Sequence, residues 1–344
     1  MIQCEHFLPS RRLLVTGGSG FIGSAFCLER ARQGDLVLNL DLKAPSWEMP
    51  NVATRICDVR DQVNVVKLVE EFQPTEIIHL AARTDIAGRT EQEYRTNTQG
   101  VSAIVSAARE SARLKRLVVA SSMLVCEPGY KPRGSHDFKP NSAYGQSKVR
   151  TEEITRSLGA GLPWVIVRPT TIWGEGHAGM RDGIFRVLRK GLYRHPRCGP
   201  VMRSYGYIRN VVDQLGAAID VGQSEVVENV FYLGDDAIDL KEWVDRFAVG
   251  LCGKAAAVAP RGLMKGLAIV GDIAALVGVT FPMSSYRLKN MTEDNVIDMS
   301  ETHCRLGRGA VGISSGVCNT LEWLEKSWQV SLGDGLSGVQ KAAA

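Results

Sequence analysis

The chain has 344 residues, 44% of them hydrophobic and 23% charged, with 41 Lys plus Arg against 37 Asp plus Glu for a net charge of +4. This balance excludes intrinsic disorder, collagen and coiled coil, and the length, roughly two domains at about 150 residues each, can bury a sizeable core without disulfides or metals. So small a cationic excess does not point to nucleic acid, although cations converging in one cleft would favour a small anionic ligand.

Met1 to Ser10 holds no long apolar run behind a basic start, so no signal peptide is expected and the segment reads as a tail. From there short β-branched runs alternate with helical patterns. Leu13–Thr16, Leu36–Leu40, Ala53–Cys57, Glu76–Leu80, Leu117–Ser121 and Trp164–Val167 read as buried strands, and their near-continuous hydrophobicity suits a parallel sheet covered on both faces. Between them Phe21–Arg32, Gln62–Phe72, Gln92–Ala112 and Ser142–Leu158 read as helices, a rhythm that predicts a doubly wound α/β sheet.

After Arg168 the order changes. Gly174–Gly183 is a glycine-rich loop, Ile184–Lys190 and Tyr207–Ile219 read as helices, and Val227–Leu233 as a further strand. Lys241–Cys252, Arg261–Val279 and Val317–Trp328 complete a mostly helical second half, expected to form a smaller cap interleaved with the sheet domain. Met264–Phe281 is mostly apolar but contains Lys265, Asp272 and three glycines, a poor composition for crossing ~30 Å of hydrocarbon. No integral span is expected there; a helix packed on the domain or over a ligand cleft is the leading reading, and docking on a membrane surface the lesser one. The cysteines (Cys4, Cys27, Cys57, Cys126, Cys198, Cys252, Cys304 and Cys318) show neither C-x-x-C pairs nor zinc-ligand spacing. Reduced, packed thiols in a cytoplasmic protein, with no metal site, are expected.

The sharpest local signal is Thr16-Gly17-Gly18-Ser19-Gly20-Phe21-Ile22-Gly23, after the first strand and opening the first helix. Gly17, Gly20 and Gly23 allow a tight turn, close approach of backbone to a pyrophosphate, and packing of helix on sheet. The helix N-terminus would hold the phosphates on free N–H groups, and the strand-before, helix-after context predicts dinucleotide binding. Asp41 ends the second strand, where a carboxylate accepts from ribose hydroxyls and repels a 2′-phosphate, which favours NAD. Lys43 and Arg60 lie nearby and keep NADP open. Asp58, in Cys57-Asp58-Val59-Arg60, suits an adenine amino group or, equally well, a helix N-cap.

Tyr144-Gly145-Gln146-Ser147-Lys148 places a phenol and an ammonium on one helical face. A free tyrosine, with a pKa of about 10, is a poor base at neutral pH. The lysine cation and an oxidised nicotinamide would favour its phenolate, which could then remove a proton from an alcohol as hydride leaves the carbon. Ser122 ends a strand where the ligand crevice of an open sheet lies, and could polarise the same oxygen.

With these motifs in this order, the chain resembles the extended short-chain dehydrogenases/reductases of the NAD-dependent epimerase/dehydratase family, the nucleotide-sugar modifiers. The resemblance runs from about Leu13 to Trp328 and is strongest before Gly174. Further marks are His79-Leu80-Ala81-Ala82, Asn97, Val167-Arg168-Pro169 and Trp173-Gly174. It implies a Rossmann-type sheet over 11–173 with 204–235 returning to it, a substrate cap over 174–203 and 236–330, and tails at 1–10 and 331–344. It also implies tightly held NAD contacted by the glycine loop, Phe21, Ile22, Asp41, Asp58, Val59, Leu80, Ala81, Ala82, Asn97, Tyr144, Lys148 and Pro169. Ser122, Tyr144 and Lys148 become the catalytic set, and a homodimer paired through the helices of Asn97 and Tyr144 is expected.

The residues after the strand-end serine are Met123-Leu124-Val125-Cys126, without the acids that resembling 4,6-dehydratases and decarboxylating enzymes supply there. This leaves 4-epimerisation of a nucleotide sugar, UDP-hexose first, or net oxidation and reduction of a sugar nucleotide, steroid or other carbonyl by NAD(P). A non-catalytic dinucleotide sensor is the third reading. Ser122, Met123, Tyr144 and the loop residue His177 are expected at the substrate. Arg203, in Arg203-Ser204-Tyr205-Gly206-Tyr207-Ile208, resembles the family arginine that clamps the substrate diphosphate, and Arg287 is a second candidate. His79 is expected to be structural.

Overall fold

Alternate residues of the buried strands serve opposite faces of one sheet. Leu13, Val15, Val37, Ile78, Val118, Val165 and Val167 join one core, and Leu14, Leu38, Leu40, Ile77, Leu117, Val119 and Ile166 the other. The computed structural model describes residues 11–222, 226–276, 278–279 and 281–332. The sheet comprises β1 (Arg12–Thr16), β2 (Leu36–Asp41), β3 (Val52–Ile56), β4 (Glu76–His79), β5 (Arg116–Ala120), β6 (Trp164–Pro169) and β7 (Val230–Leu233). Every neighbouring pair is parallel, in the order β3-β2-β1-β4-β5-β6-β7. The order reverses between β1 and β4, which opens a crevice at their C-terminal ends.

One face is covered by α1 (Phe21–Arg32) and, across it, α5 (Ile208–Asp220); the other by α2 (Gln62–Phe72) and α3 (Arg95–Ala108). Next to α3 lies α4 (Ala143–Leu158), held by Asn97 and Thr151. The helical second half continues with α6 (Leu240–Cys252), α7 (Arg261–Leu276), α8 (Ser285–Thr292), α9 (Ser300–Arg305) and α10 (Ile313–Trp328). Trp173, Phe185, Tyr207, Trp243 and Phe247 form the aromatic seam that joins this half to the first core.

Several local expectations shift for physical reasons. The helix expected from Gln92 to Ala112 begins as a 3-10 turn, Glu91–Tyr94, set by the Thr90–Glu93 capping box, and ends at Ala108. The helix expected over Ile184–Lys190 is α-helical only from Arg186 to Arg189; the π-helical turn Arg181–Phe185 precedes it, kinked at Gly183, whose φ of −97° and ψ of −105° are not helical. α8 and α9 were not foreseen, since α8 buries only Leu288 and offers no apolar period to read. The expected tails, residues 331 and 332 apart, lie outside the described residues, as does Cys4. Every described cysteine is a free thiol.

Candidate active site

The turn after β1 can be as tight as it is because Gly17 sits at φ +72° with its Cα hydrogens against the backbone of Leu80 and Ala81. A Cβ there would lie 2.8 Å from the Ala81 nitrogen. Gly20 begins α1 without a side-chain cap, so the first-turn amides are left for a ligand. The carboxylate of Asp41 accepts from the Ser19 amide at 3.0 Å, which fastens the end of β2 to the glycine turn. These groups open onto one cleft of about 690 Å³ at the switch between β1 and β4.

Gly17, Gly20, Phe21, Ile22, Gly23, Asp41, Asp58, Val59, Leu80, Ala81, Ala82 and Pro169 all lie on the walls of this cleft, as do Ser122, Tyr144, Lys148 and His177. The cleft thus joins the glycine turn at one end to the phenol and ammonium at the other. Its size and the side-chain-free cradle fit an extended dinucleotide. Lys43, expected near Asp41, is on the wall too; sequence reasoning missed Arg83, Thr84, Thr96 and Thr170 to Ile172. Their signal was available: most follow the C-terminal ends of strands, where the crevice of such a sheet lies.

α4 presents the reactive groups. Ser142 caps it by accepting from the Gly145 amide at 3.0 Å, which puts Tyr144 in the first turn, at the positive end of the helix. Gly145 lies so close to the turn after β5 that a Cβ would stand 2.3 Å from the Leu124 carbonyl. That approach lets Ser122 reach Tyr144. Ser122 accepts from the Leu124 amide at 3.1 Å, and its hydroxyl is the neighbour that favours the phenolate of Tyr144. The Tyr94 ring, 5.8 Å from that of Tyr144, closes the other side.

Burial pushes the Tyr144 phenol up to about 12, and the Ser122 hydroxyl opposes that rise. Burial pushes the Lys148 ammonium down to about 8, against the pull of Glu152. The lysine donates to the Ala120 carbonyl at 2.8 Å. Without the cofactor, burial outweighs the neighbour that favours the phenolate.

Other expected residues have different work. Asn97 is off the cleft wall. Its amide accepts from the Arg83 N–H at 2.8 Å and donates to the Arg83 carbonyl and the Ser147 hydroxyl, bracing the loop after β4 against α4. Asp58 chelates the Arg60 guanidinium, and the N-cap of α2 is Asp61 instead. Met123 is buried behind Ser122, its sulfur against the Asn295 amide. Arg203 does not line the cleft: it is buried and donates to the Glu293 carbonyl at 3.3 Å. Arg287 is exposed on α8 and donates to the Pro282 carbonyl. Neither arginine lines this cleft: the strand of Arg203 is bridged to Asn295, with its guanidinium on the Glu293 carbonyl, and Arg287 belongs to a separate surface helix. His177 does border the cleft, its ring tilted against Phe21 at 4.6 Å and accepting from the Met180 amide, and burial lowers its pKa. His79 bonds Thr16 at 2.8 Å, and burial drives it down to about 3.

Beneath the site lies a buried network that the sequence did not disclose. Glu152, one turn beyond Lys148 and wholly buried, accepts from Nε and Nη2 of Arg168 from β6 at 2.7 and 2.9 Å. It also accepts from Ser121 at 2.7 Å. Among the described residues no group of three His, Cys, Asp or Glu side chains is placed to hold a metal ion.

The sequence model of the NAD dependent epimerase/dehydratase family matches residues 13–234. The chain belongs to that family. It is accordingly an enzyme of the epimerase or oxidoreductase kind, and its dinucleotide is NAD. Among curated relatives, the N-acetyl-alpha-D-glucosaminyl-diphospho-ditrans,octacis-undecaprenol 4-epimerase of Escherichia coli O157:H7 is 26% identical over 320 residues, 90% of this chain and 94% of that one. Mouse 3 beta-hydroxysteroid dehydrogenase type 7 is 30% identical over 230 residues, 59% of this chain and 62% of its own. Among solved structures, the UDP-glucuronic acid 4-epimerase of Bacillus cereus, in complex with UDP-glucuronic acid and NAD, superposes with a TM-score of 0.72. The match covers 92% of this chain and 99% of that one at 17% identity, a likeness of fold.

Proposed function

We propose that this family member is a 4-epimerase of a hexose carried on a diphosphate, a UDP-hexose first. The observation that carries the reading is the convergence of Ser122, Tyr144 and Lys148 on the same cleft that the glycine turn and Asp41 line. The turn Met123–Val125, with Cys126 after it, adds no acid, so elimination of water lacks its proton donor and only hydride and one proton need to move.

Gly17, Gly20, Gly23 and Asp41 would hold NAD at the first end of the cleft, and Lys148 its nicotinamide ribose. When bound, NAD supplies a hydride acceptor that can return the hydride to either face of the sugar carbon. Ser122 donates a hydrogen bond to the C4 oxygen, and Tyr144 takes the C4 hydroxyl proton and later gives it back. The oxidised nicotinamide's positive charge, added to the α4 N-terminus and the Ser122 hydroxyl, favours the phenolate that the protein alone does not stabilise.

The same chemistry on a polyprenyl diphosphate sugar is a second reading, favoured by the exposed apolar side of α7. Incubation with UDP-, GDP- and dTDP-hexoses and a polyprenyl diphosphate hexose, read by NMR, decides the carrier. Inversion at C4 with unchanged absorbance at 340 nm is expected. Net formation or loss of reduced cofactor would instead establish a dehydrogenase.

The ammonium supplies a pH test. With its pKa lowered from 10.5 to about 8, Lys148 is charged below pH 8 and neutral above it. A grip on the ribose that needs the charge therefore weakens as pH rises through 8, by up to about tenfold per unit for one linked proton. Calorimetric titration of NAD is expected to show this limb in the wild type and none in Lys148→Met.

A further inference from the structure

α7 turns a narrow side inward. Met264, Ala268 and Gly271, at i, i+4 and i+7, are buried, and α7 packs on α8. Most of the rest of its circumference is apolar and in water: Leu263 is 58% exposed, Ile273 59% and Leu276 86%, with Leu267, Ile269 and Val270 between them. Successive residues turn by 100°, so these side chains cover about half of the helix. Arg261, Lys265 and Asp272 share one polar seam beside that arc.

The charge around the arc is mainly cationic. From Gly253 to Asp294 the chain carries Lys254, Arg261, Lys265, Arg287 and Lys289 against Asp272, Glu293 and Asp294. All five cations are exposed. The acids are engaged: Asp272 accepts from the Ser285 amide, Asp294 from the Met202 amide, and Glu293 pairs with Lys289 at 3.7 Å. Tyr286, 43% exposed, stands among the cations. An apolar arc edged by cations and an aromatic ring is the composition of a helix lying in a lipid interface. A second copy placed on this surface would bring the same cations against each other, so like-charge repulsion opposes self-pairing. No helix among the described residues is long and apolar enough to cross a membrane.

We propose that α7 seats the protein on an anionic bilayer, its apolar arc entering the boundary between headgroups and acyl chains while Arg261, Lys265 and their neighbours meet lipid phosphates. A chain of contacts leads from α7 to the turn that carries Ser122. It packs on α8, and Asn295, three residues beyond α8, touches Met123 beside Ser122. The inference does not rest on the epimerase reading, because binding is measured without turnover.

The test is co-sedimentation of the full chain with vesicles of phosphatidylcholine and phosphatidylglycerol, and with phosphatidylcholine alone. The wild type is expected in the pellet with the anionic vesicles and to be released by salt. The double substitution Leu267→Asn with Ile273→Asn, on exposed positions, is expected to lower the partition coefficient at least tenfold while turnover of a soluble sugar nucleotide stays at the wild-type level. Arg261→Gln with Lys265→Gln is expected to weaken binding to the anionic vesicles alone. Tyr144→Phe is expected to bind as the wild type does, which separates this result from the fate of the catalytic proposal. Wild-type protein left in the supernatant, or an asparagine variant that partitions unchanged, overturns the proposal. So does a halved mass of that variant by light scattering, which would make the arc a contact between copies.

Discussion

Tyr144→Phe is expected to lower turnover by about a thousandfold, the middle of the range for loss of a positioned proton-transfer group. The substitution removes one oxygen from a ring that is already buried, so the helix, the Tyr94 contact and the cleft keep their shape. NAD should remain bound and the melting temperature should hold. Steady-state turnover on the substrate found in the sugar panel checks the rate, and gel filtration with absorbance checks the cofactor. Activity within a few-fold of wild type would remove the phenol from the mechanism. Because burial raises its pKa to about 12, the phenol needs help from its surroundings, and the neighbouring Ser122 hydroxyl opposes that rise. Ser122→Ala should therefore move the pH at which turnover is half-maximal upward, as well as slow the reaction.

Glu152→Gln is expected to destabilise the fold by about 3–5 kcal/mol, the usual effect of leaving one partner of a buried ion pair uncompensated. The carboxylate is wholly buried, and the Arg168 guanidinium that it holds is only 1% exposed. Phe138 and Tyr232 pack on that guanidinium, so water cannot replace the lost acceptor without opening the core. Urea denaturation measures the change. A second readout separates scaffold from site: Glu152 raises Lys148, so its neutralisation should shift the NAD-binding pH limb to lower pH.

The nucleotide end of the site was legible because each of its requirements is local. A turn that must approach a ligand without side chains needs Gly17, Gly20 and Gly23 at fixed spacing, and a strand end facing ribose needs an acid such as Asp41. The same holds for Tyr144 and Lys148, whose four-residue spacing on a helix is enough to put them on one side. Glu152 was missed because an acid among the charged residues of α4 reads as solvated surface. What buries it is Arg168, arriving from a strand 16 residues later. Arg203 was misplaced for the converse reason. Its segment resembles a phosphate-binding one, yet the chain that satisfies it, Glu293 to Asn295, lies about ninety residues away. Asn97 shows a third case, a polar residue at a correctly read position whose amide serves the scaffold between α3 and α4.

Patterns that repeat within a few residues therefore determined the parallel sheet, the dinucleotide turn and the phenol–ammonium pair, since strand and helix periodicity and glycine stereochemistry act over that range. The tertiary structure alone decided which charges are dry, which arginines are already satisfied, and how far desolvation raises the Tyr144 phenol. Those outcomes depend on burial and on partners distant in the chain, and no spacing of residues along the sequence encodes them.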